Sequence, residues 1–175
     1  MRCFLGLKVK PTPELEHALE KLRELDYTKT VKTEHLHVNI RFFRNEENPE
    51  EIRKTLQNLE TPKFEYQLKN LGTFPTQEFI RVVWAGTQDN QKITLLKKEV
   101  DNRLEELGHM PEKNYVPHVT LARVKRKPDQ RIQKIITNHS GKNLGQQKAE
   151  HLTLWKSTLN EEGPEYEKLW TAELK

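Results

Sequence analysis

The sequence predicts a mixed fold of strands and helices that is built as two similar halves. Its 175 residues suit one domain or two tightly fused halves. Segments with strand and helix periodicity alternate, and the order strand, helix, strand, helix, strand occurs twice. The second strand of each half carries a histidine followed two residues later by a polar residue: His37 with Asn39, and His118 with Thr120.

The first half begins with an apolar strand over residues 3–9. Thr12 and Pro13 then predict the N-cap and first position of a helix. The strand of His37 follows, and the residues from Asn48 to Glu51 are typical of a capping box that opens a second helix. Phe64, Tyr66 and Leu68 mark one face of the next strand. The stripes expected to be buried are Leu15, Ala18, Leu19, Leu22 and Leu25 in the first helix, and Ile52, Leu56 and Leu59 in the second.

The second half repeats this order. We expect a strand over residues 79–86, a helix near 90–107 that ends at Gly108, the strand of His118 and a helix near 129–139. Strands near 147–156 and 167–174 complete it. The apolar stripes of its helices are Ile93, Leu96, Val100, Leu104 and Leu107, and then Ile132, Ile135 and Ile136.

The spacing of the two histidine strands supports the repeat. His118 follows His37 by 81 residues (118 − 37), and the same shift superposes the second helix and third strand of the two halves. We therefore predict one domain over residues 1–175 with lobes of about 1–75 and 76–175. The final strand is a candidate to cross from one lobe to the other. A pseudo-two-fold axis between the lobes would bring His37 and His118 into one cleft.

Composition narrows the class of protein. The net charge of +4 is a mild bias toward anionic partners. One cysteine, Cys3, excludes an intrachain disulfide framework and a cysteine-based zinc site. The start of the chain is too short and polar for a signal peptide, and no apolar run approaches the roughly 20 residues of a membrane span. We expect a soluble cytoplasmic protein without a membrane partner.

Two histidine strands that face each other can perform acid–base chemistry on a phosphate. Residues i and i+2 of a strand project from the same face, so each imidazole stands beside a polar side chain. One histidine can remove a proton from the attacking group while the other protonates the leaving oxygen. The polar neighbours can hold the phosphate oxygens, which suits hydrolysis or transesterification of a phosphodiester without a metal.

A third match to the pattern, His151-Leu152-Thr153-Leu154, competes with the first. The repeat argues against it, because His151 falls on a third strand and its counterpart 81 residues earlier is Asn70. We interpret His151 as a residue of the scaffold.

With these residues in view, the sequence resembles the two-histidine (2H) phosphoesterases, and within them the bacterial and archaeal RNA 2′,3′-cyclic phosphodiesterases, or 2′-5′ RNA ligase-like proteins. The resemblance covers nearly the whole chain. EHLHVNIRFF stands where members have a stretch such as ENLHITLKFLG, and YVPHVTLARVK is close to the second motif. The segments MRCFLGLKV, LGTFP with IRVVWAG, and KSTLNEEGPEYEKL resemble the opening strand, the middle section and the closing turn.

The resemblance implies a bilobal α+β fold in which antiparallel sheets line a central cleft and helices lie outside. It implies hydrolysis of an RNA 2′,3′-cyclic phosphate to a 2′-phosphate without metal or other cofactor. By this resemblance His37 is the proton donor and His118 the proton acceptor. Thr120 matches the hydroxyl of the second motif, and Arg123 matches the arginine that follows it.

The alternation of side chains along a strand predicts the faces on which Arg123 and Arg41 lie. Arg123 has the wrong parity to share a face with His118 on a regular strand, so a bulge or strand end is needed to aim it inward. Arg41 has the right parity to stand beside His37 and face the phosphate. Lys125 and Arg126 are further candidates for contacts to an RNA backbone.

The first motif departs from the family at two positions. Asn39 stands where members have Thr or Ser, and its amide can still donate to a phosphate oxygen. His35 stands where many members have Asn, which invites a His-x-His metal site. We expect none, because no Asp, Glu or Cys accompanies the pair in the motifs.

Other functions remain open for the same residues. The enzyme could act on another cyclic or 2′-linked nucleotide, or join RNA ends in an ATP-independent 2′-5′ ligation. In a different class, the chain would be an RNA-end-binding protein whose catalysis is weakened by Asn39. The expected partner is RNA with a 2′,3′-cyclic phosphate end or a small cyclic nucleotide, and a monomer suffices for the site.

Overall fold

The structure, a computed structural model, describes residues 1–88 and 91–175. Within them the chain forms nine strands, four α-helices and one 3₁₀ helix at Thr33–His35. The elements in chain order are β1 (Cys3–Lys8), α1 (Pro13–Arg23), β2 (Thr28–Thr30), β3 (His37–Phe43), α2 (Pro49–Thr55), β4 (Phe64–Pro75), β5 (Ile80–Gln88), α3 (Gln91–Glu105), β6 (His118–Val124), α4 (Gln130–Asn138), β7 (Asn143–Ala149), β8 (His151–Asn160) and β9 (Gly163–Glu173).

The strands form one antiparallel sheet in the order β7-β4-β5-β6-β3-β1-β8-β9, and β2 pairs with β6. This confirms the predicted α+β class. The two histidine strands, β3 and β6, are neighbours at the centre, and one pair of residues, Val38 with Val119, joins the two sides of the sheet there.

Strands are exchanged between the halves of the sequence. β4 comes from the first half but pairs with β5 and β7, and β8 comes from the second half but pairs with β1. The helices follow the same arrangement, since α1 contacts α4 and α2 contacts α3. A boundary near residue 75 therefore separates stretches of sequence that interlock in the sheet.

Most residues of the predicted apolar stripes are buried. Thr12 caps α1 as expected, because its hydroxyl accepts a hydrogen bond from the backbone N–H of Leu15 at 3.2 Å. Gly108 ends the segment after α3 with a φ of +83°, a conformation that glycine adopts without strain. Residue 90, where the prediction began α3, lies outside the described residues.

Three local expectations are corrected. The predicted strand at 147–156 is two strands, β7 and β8, which are separated at Glu150. Asn48 occupies the N-cap of α2, but its side chain makes no capping bond, and the Glu46 carboxylate instead accepts from the Asn48 backbone N–H at 2.8 Å. On α4 only Ile132 is fully buried, because Ile135 and Ile136 lie at the edge of the core.

Candidate active site

Four predicted site residues meet at the centre of the sheet. The pairing of Val38 with Val119 places their neighbours in register, so that His37 lies across from Thr120 and Asn39 lies across from His118. We call the side of the sheet that carries these four residues the histidine face.

Burial separates this face from the core face. The side chains of Val38, Ile40 and Val119 are fully buried. All four residues of the histidine face are half-buried, so they line an accessible surface. The alternation read from the sequence is therefore present in both strands.

Both histidines are oriented by the same local hydrogen bond. Nδ1 of His37 lies 2.7 Å from the carbonyl oxygen of His35, and Nδ1 of His118 lies 2.7 Å from the carbonyl oxygen of Val116. A carbonyl only accepts, so Nδ1 carries the hydrogen in each ring. Nε2 is left as the nitrogen that accepts a proton when the ring is neutral and donates one when it is charged.

Aromatic side chains hold the ring of His37. Phe4 of β1 stacks on it at 4.4 Å between ring centroids, and Tyr166 of β9 meets it edge-on at 5.7 Å. Gly6 lies beneath, where a Cβ atom would come within 3.3 Å of the imidazole Cδ2. These contacts limit the rotation of the ring.

The ring of His118 is held in an equivalent way by aromatic residues of β4 and β5, the strands that follow β6 toward the other edge of the sheet. Phe74 of β4 packs edge-on against it at 4.9 Å, and Trp84 of β5 lies at 5.7 Å. Gly72 makes room for the indole, since a Cβ there would stand 2.3 Å from Trp84 ring atoms. Each histidine is thus packed between aromatic residues from two other strands.

Burial lowers the pKa of both histidines. The pKa of His37 falls from 6.5 to about 4, mainly because of burial, and the nearby charge of His118 contributes to this lowering. The pKa of His118 is lowered first by burial and also by the charge of Arg123. Both rings are therefore neutral near pH 7 in the free protein. A bound phosphate would favour the charged form of either ring.

Asn39 presents an unsatisfied polar atom beside His37. Its side-chain Oδ1 is buried without a hydrogen-bond partner, which is costly unless a ligand or water completes the bond. A 180° rotation of the side-chain amide exchanges its oxygen and nitrogen, so the NH₂ donor is able to take the position of Oδ1. The backbone carbonyl of Asn39 accepts from the Tyr115 hydroxyl at 2.8 Å, which ties β3 to the segment before His118.

A bulge in each histidine strand decides where the arginines lie. In β6 the register against β5 shifts between Val83 and Trp84, so Leu121 is the extra residue. The shift restores Arg123 to the histidine face, as its predicted role requires. Arg123 is exposed. Its charge adds to burial in lowering the pKa of His118, and it partly offsets the rise that burial gives to the pKa of Tyr166.

The equivalent bulge in β3 corrects the expectation for Arg41. The register against β1 shifts after Asn39, and Arg41 turns to the buried side with an exposed fraction of 7 %. Its guanidinium donates to Asp101 of α3 at 3.2 Å and to the carbonyl oxygen of Met110 at 2.5 Å. Lys97 also binds Asp101, at 2.9 Å. Arg41 belongs to an internal ion-pair cluster and does not face a phosphate on the histidine face.

Tyr166 and Arg2 are site neighbours that sequence reasoning missed. A cavity of about 210 Å³ beside His37 is lined in part by His35, Trp155 and Tyr166. The Arg2 guanidinium lies 5.2 Å from the centroid of the Phe42 ring. Burial raises the pKa of Tyr166, and the charge of Arg2 partly offsets that rise. Neither residue has a periodic signal, because Tyr166 reaches the site through the pairing of β9 with β8, and Arg2 precedes the first strand.

Of the two remaining histidine candidates, His151 lies away from the four central residues, and His35 lines the cavity beside His37. His151 is exposed at the start of β8, a strand separated from β3 by β1. His35 packs against Tyr166 at 4.6 Å between ring centroids. Among residues 1–88 and 91–175, no three His, Cys, Asp or Glu side chains are grouped so that they could hold a metal ion. No helix in this part of the chain is long and apolar enough to cross a membrane.

Comparison with known proteins identifies the family. Residues 11–161 match the model of the 2′-5′ RNA ligase superfamily. The chain belongs to this superfamily. It is 34 % identical over 177 residues to a protein of Methanocaldococcus jannaschii named RNA 2′,3′-cyclic phosphodiesterase, covering 95 % of this chain and 97 % of the relative. A protein of the same name from Aquifex aeolicus is 29 % identical over 175 residues, or 95 % and 93 % of the two chains.

Two solved structures of other proteins have the same fold as this chain. The protein TT0787 of Thermus thermophilus superposes with a TM-score of 0.79 at 26 % identity, over 99 % of this chain and 98 % of that one. The LigT protein of E. coli superposes with a TM-score of 0.73 at 17 % identity, over 99 % and 96 % of the two chains. The second likeness concerns the fold alone.

Proposed function

We propose that the protein hydrolyses RNA 2′,3′-cyclic phosphate ends to 2′-phosphates by acid–base catalysis between two histidines. The observation that carries this is the pair His37 and His118 on adjacent central strands. In each ring Nδ1 is hydrogen-bonded to the backbone carbonyl two residues earlier, which leaves Nε2 for proton transfer. The relatives named RNA 2′,3′-cyclic phosphodiesterase support the choice of substrate.

In the proposed reaction, water attacks the phosphorus while Nε2 of His118 takes one of its protons. The bond between phosphorus and O3′ breaks, and the charged imidazole of His37 gives its Nε2 proton to O3′. The phosphate remains on O2′. One proton enters His118 and one leaves His37, so exchange with solvent restores both rings.

Neighbouring polar groups would hold the phosphate during this transfer. Asn39 and Thr120 lie beside and across from His37, where an amide N–H and a hydroxyl can donate to non-bridging oxygens. Arg123 supplies a positive charge close enough to His118 to lower its pKa. The negative phosphate in turn raises the low pKa of His37, which allows that ring to carry the proton it donates.

All side chains of this mechanism come from one chain, so we infer that a monomer is active. We propose that residues 1–175 work as one domain of two lobes, with the reaction at their junction on the histidine face. Since the proposed substrate is RNA, we also propose a cytoplasmic location.

The test is a turnover assay with an oligoribonucleotide that ends in a 2′,3′-cyclic phosphate, followed by phosphorus NMR of the product. We expect a 2′-phosphomonoester, formed at the same rate with and without EDTA. A 3′-phosphate product would contradict the assignment of O3′ as the leaving group. Activity that is lost in EDTA and restored by a divalent ion would contradict the metal-independent mechanism.

A further inference from the structure

The segment before His118 is held in place by side chains. Residues 110–116, which we call the lead segment, form neither helix nor strand. Among residues 1–88 and 91–175, no backbone–backbone hydrogen bond involves the lead segment. Yet this segment contains the carbonyl group of Val116, which lies 2.7 Å from Nδ1 of His118 and accepts its hydrogen. The orientation of the His118 ring therefore depends on the side-chain contacts that fix the lead segment.

Tyr115 connects the lead segment to the strand of the other histidine. Its hydroxyl donates to the backbone carbonyl of Asn39 at 2.8 Å, and its ring packs against the core. Asn39 is itself fixed, because β3 pairs with β1 at this residue. The bond therefore fastens the residue before Val116 to the sheet. On the other side of Val116, the carbonyl oxygen of Pro117 accepts from the Thr87 hydroxyl at 3.3 Å.

The internal ion-pair cluster braces the same segment. Arg41 donates to the carbonyl oxygen of Met110 at 2.5 Å, and Lys97 of α3 pairs with Glu112 at 3.2 Å. The ammonium group of Lys97 also lies 5.2 Å from the centroid of the Tyr115 ring, a cation–π contact. Arg41 and Lys97 are both buried, so solvent screens these contacts little. The cluster that holds Arg41 away from the histidine face thus ties the lead segment to β3 and α3.

We propose that Tyr115 is a positioning residue for His118, and that the ion pair of Lys97 with Glu112 supports it. The Tyr115 hydroxyl keeps the Val116 carbonyl where it accepts from Nδ1. The ring is thereby kept in the form whose Nε2 takes a proton. A small displacement of a catalytic group is costly to the rate, which makes such a contact functional. The effect on turnover rests on the proposed function, whereas the position of the ring is a property of the free protein.

Tyr115→Phe removes the hydroxyl and keeps the ring. We expect kcat for the cyclic-phosphate oligonucleotide to fall by roughly ten-fold, because a displaced general base takes its proton less efficiently. KM should change by less than about two-fold, since Thr120 and Arg123 are untouched. The matched control is Tyr66→Phe, which removes a buried hydroxyl that has no hydrogen-bond partner among the described residues. This control should leave kcat unchanged.

The histidine rings report their positioning without any substrate. In ¹⁵N-labelled protein near neutral pH, we expect the ring nitrogens of His37 and His118 to show the Nδ1–H form. Tyr115→Phe should move the His118 nitrogens toward a mixture of the two neutral forms. His37 should not change, because its Nδ1 is bonded to the carbonyl of His35, outside the lead segment. Unmoved His118 nitrogens would overturn the proposal, and so would equal movement of the two rings.

Glu112→Gln tests the support from Lys97 at an exposed side chain, where substitutions seldom affect folding. We expect the His118 nitrogens to move in the same direction as in Tyr115→Phe, but less. The matched control is Glu106→Gln, which gives the same change in net charge at an exposed residue outside the lead segment. No movement with Glu112→Gln, or equal movement with both variants, would overturn the role of the ion pair.

The two readouts separate this inference from the proposed function. A wild type that does not hydrolyse the cyclic-phosphate end would contradict the proposed function, and the NMR comparison would still decide the role of Tyr115. A wild type that hydrolyses it, with a Tyr115→Phe variant of equal kcat, would contradict the positioning role alone. A lower kcat together with displaced His118 nitrogens, in Tyr115→Phe and not in Tyr66→Phe, is the result that we expect.

Discussion

At the scale of single residues, the candidate site contains two histidines whose Nδ1 atoms are held by carbonyl groups two residues earlier. The sequence predicted which two histidines meet, because alternation and the 81-residue spacing place both on second strands. It did not predict the aromatic packing around them, since Phe4, Phe74 and Trp84 come from strands whose pairing is not local.

Replacing either histidine should abolish most of the activity. His37→Ala and His118→Ala are each expected to lower the turnover of a cyclic-phosphate oligonucleotide by roughly 10²–10⁴-fold, the usual contribution of a positioned acid or base. His151→Ala is the matched control, because His151 is exposed at the start of β8. A loss with His151→Ala as large as the other two, in a folded protein, would contradict the choice of histidines.

Asn39 should contribute through its side-chain amide. Asn39→Ala loses a hydrogen bond to a charged oxygen and is expected to reduce kcat/KM by about ten- to a hundred-fold. Asn39→Thr restores a hydroxyl and should keep or raise activity, while Asn39→Asp should fall below Ala because a carboxylate repels the phosphate. Kinetics of the four proteins decide it, and equal values for wild type, Ala and Asp would show that Asn39 does not contact the substrate.

At the scale of elements, one bulge in each histidine strand explains a correct and a wrong expectation. The sequence predicts a bulge in β6 only through Arg123, which otherwise points to the wrong face, and it contains no such sign for β3. The repeat implies both, and the bulge in β3 carries Arg41 into the core. The alternation of side chains predicts which face of the sheet a residue occupies only up to the first bulge in the strand. Ile40 and Leu121 are the extra residues of the two bulges, and neither residue type indicates a bulge.

Replacing Arg41 should therefore lower stability, whereas replacing Arg123 should weaken substrate binding. Arg41→Ala leaves Asp101 buried with less compensation, and we expect the free energy of unfolding to fall by about 3 kcal/mol. Arg123→Ala removes an exposed charge and should leave stability unchanged while it raises KM. Chemical denaturation and steady-state kinetics measure the two effects. A destabilised Arg123→Ala, or a stable Arg41→Ala with impaired KM, would reverse the assignment.

Element boundaries were predictable where caps and stripes are local. Thr12 and Pro13 fix the start of α1, and the glycine at 108 follows the end of α3. The break at Glu150 is not predictable from the local sequence, because β7 and β8 differ only in the strands with which they pair. The N-cap of α2 was overestimated, since the Glu46 carboxylate accepts the bond from Asn48.

At the scale of the whole molecule, the sheet order shows why two halves of sequence make one site. β4 joins the strands of the second half and β8 joins those of the first, so β3 and β6 are flanked by equivalent sets of strands. The aromatic neighbours of each histidine come from these exchanged and flanking strands. A separate half would lack part of the packing around its own histidine.

The junction also controls how activity depends on pH. The proposed mechanism requires one charged and one neutral imidazole in the free protein, yet burial lowers the pKa of both rings below 6.5 and that of His37 to about 4. As pH rises through these values the single required proton is lost, and as pH falls below both the base becomes charged. The bell-shaped profile of kcat/KM, which reports the free enzyme, should therefore have its maximum below about 6.5. Bound phosphate raises the pKa of the imidazoles, so the maximum of kcat should lie at higher pH.

Both profiles come from one set of initial rates measured with the cyclic-phosphate oligonucleotide across the pH range. Arg123→Gln provides the internal control, because the Arg123 charge lowers the pKa of His118. Its removal should move the limb that belongs to His118 toward higher pH. A kcat/KM maximum above about pH 7 in the wild type would show that burial does not determine the protonation of the two histidines. Profiles of kcat and kcat/KM that coincide would show that the bound phosphate does not supply the compensating charge.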